Sequence, residues 1–474
     1  MSTTTDVLMA TLVDENSFSC WDTSPKDPEA DAEYLAELAA VRRATGCSES
    51  VTTGEATIGG QRLALVISEF SFLGGSIGAA AARRVIEAAR RATDEGLPLL
   101  AMPASGGTRM QEGTSAFVRM TDIARAVHRH KAAGLPYIVY LRHPTMGGVT
   151  ASWGSLGQLT YAEPQALIGF LGPKVYRALH GSDFPRDVQT AENLFEHGIV
   201  DEVVDLPTLR VRLAQLLPIL GTRRSGPPPQ PQALPDTSAA VPVATDAWAA
   251  VGRTRSKDRP GVVELLARVA TDAVVVSGTG AGERDDSVVV VLARIGETSC
   301  LIVGQDHSRA LRPPGLRQAQ RGLRLAAAWQ LPVVTVVDTP GAELSAEAEE
   351  AALAAEIARC IEMMVAHPCP TISLLLGQGT GGGALALVPA RRVIALENSW
   401  LAPLPPEGAS VIKHGCVGRA VELARAQGIT AAELVSGGIA DRVLPESKED
   451  TFAAVGRALS AELSALCHSP SGPV

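Results

Sequence analysis

Four apolar runs, each opened by a proline, recur along this chain at fixed intervals. Leu97-Pro98 opens LPLLAMPASGG, and Leu135-Pro136 opens LPYIVYLRHPTMGG 38 residues later. Leu331-Pro332 opens LPVVTVVDTPG, and Pro370 opens PTISLLLGQGTGGG, again 38 residues later. The two sets lie 234 residues apart, and Leu167 in ALIGF meets Leu401 in SWLAPL at the same offset. A shared offset over so many landmarks predicts one structural unit present twice.

The stretch from Gly221 through the prolines at 227–229 to Lys257 separates the copies. It is too rich in Pro and small residues to build a sheet or helix and is expected to be a linker over 222–257. That leaves domains at 1–221 and 258–474. With 46% hydrophobic and 20% charged residues, each half can bury a core of its own. Within each half, apolar runs alternate with helical patterns such as RRVIEAARRATDEG and GLRQAQRGLRLAAAWQ. Alternation of this kind predicts an α/β domain with largely parallel strands. Each run ends in glycines that lead toward a helix, where backbone N–H groups suit an anion or oxyanion.

A net charge of -9 argues against a general nucleic-acid binder. No apolar run approaches the length that spans a bilayer, and the first basic residue is Lys26, so no membrane span and no signal peptide are expected. The reading is cytoplasmic. The seven cysteines form no CxxC, which predicts neither a zinc ribbon nor a disulfide framework.

Three formal motifs point elsewhere. Gly74-Gly75-Ser76-Ile77-Gly78 matches a nucleophile elbow, but no histidine has a diagnostic context for Ser76. Gly377-Gln378-Gly379-Thr380-Gly381-Gly382 matches a dinucleotide fingerprint, but Pro389 leaves too short a helix after it. Asp338-Thr339-Pro340-Gly341 lacks the phosphate-binding loop that would make it a nucleotide switch. What remains is the pairing of Gly147-Gly148 with Gly382-Gly383 across the duplication, which suggests two oxyanion holes.

These blocks resemble a known family. FSFLGGSIG, PASGGTRMQEG, HPTMGGVTASWG, AEPQALIGFLGPKV and ENLFEHGIVDEVV are similar to the β subunit of bacterial acetyl-CoA carboxylase carboxyltransferase. DRPGVVELL, VVDTPGAELSAEAEEA, GQGTGGGALAL and PLPPEGASVI are similar to its α subunit. The resemblance covers about residues 12–218 and 258–446, in the order β then α. It implies two crotonase-type (ClpP/crotonase-like) β-β-α superhelix domains in tandem. It also implies transfer of CO2 from carboxybiotin to an acyl-CoA, most directly acetyl-CoA giving malonyl-CoA.

Under the resemblance, Gly147 and Gly148 would hold the thioester enolate, and Gly382 and Gly383 the biotin ureido oxygen. Gly74, Gly75, Ser76, Gly106, Gly107 and Arg109 would serve the CoA side, with Gly341 near the biotin. Arg83, Arg84, Arg90 and Arg91 offer further cations for CoA phosphates. The chain shows neither a biotinyl segment nor an ATP-binding carboxylase domain, so a separate biotin carboxylase and biotin carboxyl carrier protein are implied partners. The implied state is a homodimer. Glu343, Leu344 and Ser345 stand where the α-type loop usually has glycines, and Gln378 where it often has Glu. The four-Cys zinc ribbon of many β subunits is missing from these residues, so no zinc is expected.

Overall fold

A computed structural model describes residues 4–25, 32–170, 177, 181–182, 184–185, 187–221, 246–256, 258–446 and 450–468. The chain divides into two units. The first is Met1–Gly221 with Gly280–Glu283, and the second is Thr222–Thr279 with Arg284–Val474.

In the first unit, seven strands form one sheet in the order Ser19–Cys20, Val51–Ile58, Gln61–Ser68, Leu99–Met102, Tyr137–Leu141, Leu159–Ala162, Glu202–Val203. The first two pairings are antiparallel and the rest parallel. Leu99–Met102 and Tyr137–Leu141 are buried at every position, the pattern of strands covered on both faces. Helix Ala79–Asp94 buries Ala81, Ala82, Val85, Ala88, Ala89 and Ala92 on its inner face. Small residues there let the helix lie close to the sheet. Thr145–Met146 and Ile168–Gly169 form a separate parallel pair.

The second unit repeats this plan. Thr271–Val275, Val288–Ile295, Thr298–Gln305, Val333–Thr339, Thr371–Thr380, Arg392–Leu396 and Arg442–Leu444 follow the same order. Here the wholly buried strand Thr371–Thr380 is long enough to pair with Arg392–Leu396 and then, at Gln378–Thr380, with Trp400–Ala402. It covers the work of two strands in the first unit. The glycine fingerprint at 377–382 therefore lies mostly inside a strand, followed by a helix of only five residues, Gly381–Leu385.

The register of the duplication is visible bond by bond. Ile77 bridges Thr108 and Leu311 bridges Ala342, both 234 apart. Ile77 N donates to Gly107 O at 2.9 Å, and Leu311 N to Gly341 O at 3.0 Å. Gly107 N donates to Ser105 Oγ at 3.0 Å, and Gly341 N to Thr339 Oγ1 at 3.1 Å. Beyond this point the offset falls to 233, because Leu141 pairs with Ala162 while Leu375 pairs with Ala395. Thr145 pairs with Ile168 and Gly379 with Leu401, so the counterpart of Leu401 is Ile168 rather than Leu167.

The end of the stretch expected as a linker, 222–257, is helical. Asp246 caps a helix, Ala247–Thr254, by accepting from Ala249 N at 3.0 Å. Its Ala247 and Val251 are buried against Trp400, Ala402, Ala424 and Ile429. Two apolar residues four apart were enough for a helix, and the proline content nearby masked them. Residues 222–245, the most proline-rich part, lie outside the described residues.

Candidate functional site: a pair of amides in each unit

In the first unit, the turn after Leu99–Met102 is Gly106-Gly107-Thr108. Gly107 has φ +115, and a Cβ there would lie 3.4 Å from Gly148 N. Gly147 has φ +61 and opens the short helix Gly147–Thr150, so Gly148 N–H sits in a first turn with no acceptor inside the helix. Thr108 N is not used by the bridge to Ile77, whose bonds run through Gly107 O and Arg109 N. Neither Thr108 N–H nor Gly148 N–H finds an acceptor among the described residues. Two close, unspent amides at a half-buried turn are the geometry of an oxyanion hole.

The glycines flanking this pair are committed elsewhere. Gly106 N donates to Gly74 O at 2.9 Å, and Gly107 N to Ser105 Oγ. Gly75 N and Ser76 N close a turn on Phe72 O and Leu73 O. Gly75, at φ +62, is required for packing, since a Cβ would meet Ala104 O at 2.0 Å. The amides of Gly75, Ser76, Gly106 and Gly107 are thus spent within the turn. The N-terminus of Ala79–Asp94 is likewise occupied: Glu112 Oε2 accepts from Ala79 N at 2.6 Å.

Arg109 is corrected more sharply. Its side chain is 1% exposed. It donates to both oxygens of Glu49, to Ser50 Oγ at 3.0 Å and to Ser76 O at 2.8 Å, so it is not free for a phosphate. Burial alone would lower its pKa, but the Glu49 carboxylate beside it holds the guanidinium above its ordinary range. Arg109 Nε also donates to Ser76 Oγ at 3.3 Å, and no histidine bonds that hydroxyl among the described residues, so the nucleophile elbow has no base. Arg84 is buried on Val51 O and Asp22, and Arg91 lies over the Trp21 ring at 4.3 Å. Arg83 and Arg90 instead face an open groove of about 330 Å³ shared with Glu87, Arg129, and Arg119 and Arg125, both of which donate to Asp122.

In the second unit, Gly341 has φ +124 and is followed by Ala342, the counterpart of Thr108. Gly381, at φ +61, opens the helix Gly381–Leu385, as Gly147 opens its own. The match to Gly147-Gly148 is therefore Gly381-Gly382, one residue earlier than the pair read from sequence. Gly383 is buried, and its carbonyl accepts from Gln305 Nε2 at 2.7 Å. The 234-residue offset itself leads from Gly147-Gly148 to Gly381-Gly382, and the positive φ of Gly381 agrees with it. Ala342 N–H and Gly382 N–H have no acceptor among the described residues.

Behind this turn, Asp338 is fully buried and bonded by Arg259 Nη2 at 2.6 and 2.7 Å and by Gln378 N at 3.0 Å. Burial pushes its carboxyl up and Arg259 pulls it back. His307 Nδ1 lies 3.8 Å from Asp338 Oδ2. The departures at 343–345 make an ordered loop: Ser345 Oγ caps helix Ala346–Glu350 by accepting from Ala348 N at 3.1 Å. Met110 and Leu344, each two residues past the amide of its turn, are 84% and 97% exposed.

Residues 11–449 match the family model described as Carboxyl transferase domain. The chain belongs to this family. A probable biotin-dependent acyl-coenzyme A carboxylase beta3 subunit of Mycobacterium tuberculosis is 50% identical over 99% of this chain and 95% of its own length. The acetyl-coenzyme A carboxylase carboxyl transferase subunits beta/alpha of Salinispora arenicola is 38% identical over 92% and 81%. The transcarboxylase 12S structure, with 20% identity and a TM-score of 0.79, covers 99% of this carboxyl transferase and 91% of its own chain. That likeness shows the fold, two crotonase-type domains in tandem. No helix of the described residues is long and apolar enough to cross a membrane, and they hold no cluster of metal-ligating side chains.

Proposed function

We propose that this carboxyl transferase moves CO2 from carboxybiotin, carried on a separate protein, to the α-carbon of an acyl-CoA, with acetyl-CoA as the first substrate to test. The carrying observation is the recurrence of one unspent amide pair per unit: Thr108 with Gly148, and Ala342 with Gly382. A transfer between two carbonyl-containing partners develops negative charge on two oxygens, a thioester enolate and a ureido oxygen. One pair for each matches that need.

Carboxybiotin supplies the CO2 and, once it has released it, a ureido nitrogen basic enough to take the α-proton. The chain's own part is electrostatic and positional. In this reading Thr108 and Gly148 hold the enolate oxygen, and Ala342 and Gly382 the ureido oxygen. Gly107, Gly147, Gly341 and Gly381 set the backbone that presents those amides. The CoA phosphates are assigned to the groove of Arg83 and Arg90, where planar cations suit bidentate phosphate contact. A biotin carboxylase and a biotin carboxyl carrier protein are the partners of the proposal, a homodimer its assembly and the cytoplasm its location. No zinc is expected, which metal analysis of the purified protein checks.

The test is biocytin-dependent decarboxylation of malonyl-CoA, the reverse transfer, which needs no partner protein. Gly148→Val and Gly382→Val are each expected to lower turnover by about 10²–10³, the cost of losing one oxyanion donor. Turnover within twofold of wild type in either variant removes that amide pair from the mechanism. Repeating the forward reaction over acetyl-, propionyl- and longer acyl-CoAs decides the substrate. Arg83→Glu with Arg90→Glu is expected to raise KM for acyl-CoA about tenfold while leaving kcat near wild type, a loss of about 1.4 kcal/mol of ground-state binding. An unchanged KM removes the groove from the proposal.

A further inference from the structure

Gln305 ends the strand Thr298–Gln305 and is 1% exposed. Its Oε1 accepts from Asp338 N at 3.2 Å, and its Nε2 donates to Gly383 O at 2.7 Å. Asp338 lies four residues before Ala342, and Gly383 directly follows Gly382. One buried amide side chain thus ties together the two segments that carry the second unit's amide pair. The tie is not inherited from the duplication. Gly304 pairs with Val336 as Ile67 pairs with Met102, which makes Ser68 the counterpart of Gln305. Ser68 Oγ is buried with no partner among the described residues, and the strand ends there are joined instead by Arg142 Nη1 on Ser68 O at 3.0 Å.

We infer that Gln305 is the positioning residue of the second unit's oxyanion hole, fixing the separation of Ala342 N–H from Gly382 N–H. The inference rests on the function proposed above. A primary amide is the side chain that serves here because one end must donate and the other accept. Leucine leaves both backbone groups unsatisfied, and a glutamate carboxylate cannot donate to Gly383 O. A protonated glutamate can do both. Asp338, Arg259 and His307 gather at this end of the sheet, with Asp306 next in the chain and paired with Arg309, and Glu264 at the Gly261 turn beside His307.

The experiment compares Gln305→Leu and Gln305→Glu with wild type and Gly382→Val. Biocytin-dependent turnover of malonyl-CoA is measured from pH 6 to 9, with acetyl-CoA affinity by calorimetry and folding by urea midpoint. Gln305→Leu is expected to lose about 10- to 100-fold in kcat at every pH, the scale of an ångström-sized misplacement, with acetyl-CoA affinity unchanged. Gln305→Glu is expected to retain most turnover at pH 6 and lose it as the pH rises, because burial beside Asp338 favours its protonated form. A folded Gln305→Leu with kcat within twofold of wild type overturns the inference, as does a Gln305→Glu whose loss ignores pH. If Gln305→Leu fails to fold, the pH profile of Gln305→Glu alone decides. Should Gly382→Val also stay active, the proposed function has failed; if only Gly382→Val is inactive, the positioning role has failed.

Discussion

Glu49 is 2% exposed and has no bulk water to turn to; its two oxygens are served by Arg109. The same guanidinium reaches Glu112, whose other oxygen caps the helix that starts at Ala79. Removing the cation leaves a buried carboxylate without its partner, which costs far more than the pair itself contributes. Arg109→Met is therefore expected to destabilise the first unit by about 3–5 kcal/mol. Chemical denaturation of the full chain measures it, and a loss under 1 kcal/mol would mean that Glu49 takes up a proton or reaches solvent instead. In the sequence, an arginine within a glycine-rich turn points outward toward a ligand. Its partner is 60 positions away at Glu49, a separation that no local pattern exposes.

Helix Gly113–Ala132 carries in its last turn a histidine that serves tertiary structure. His130 is fully buried, with Nδ1 3.1 Å from Thr93 Oγ1 and Nε2 3.1 Å from Pro136 O. Burial lowers its pKa to about 4, so the folded state holds it neutral. The unfolded chain binds a proton near pH 6.5, and stability is thus full above that value and lost as the pH falls toward about 4. The loss amounts to about 3 kcal/mol. His130→Gln keeps a donor and an acceptor but cannot titrate. The gap in urea midpoint between pH 7 and pH 4.5 should shrink in that variant, and an equal gap would acquit His130. At this scale much was legible. The apolar runs became the central strands, because burial on both faces leaves unbroken hydrophobic sequence. The boundary at Ala247–Thr254 was hidden by neighbouring prolines, and the offset slipped by one at Ile168 because a single-residue deletion leaves no mark in composition. The pairing of Gly147-Gly148 with Gly382-Gly383 passed over the 234-residue offset itself, which leads from Gly147 to Gly381, where the positive φ also falls.

Over the whole molecule, each unit has its own core: one cluster runs from Val51 to Val200, and another from Val262 to Leu463. Fragments 1–221 and 246–474 are each expected to unfold cooperatively when produced alone, with calorimetry as the measure. A fragment showing no transition would mean that its core is completed by the other. The duplication has diverged in the length of one connection. Ser68 to Ile77 spans nine positions and Gln305 to Leu311 six, so the turn bearing Gly74, Gly75 and Ser76 belongs to the first unit only. Carrying both amide pairs on one polypeptide also fixes their supply. Two separately translated halves would have to be matched in number for a reaction that uses both amide pairs. Here the ribosome delivers one of each with every chain, so changes in expression level alter how much enzyme a cell holds without ever unbalancing its parts.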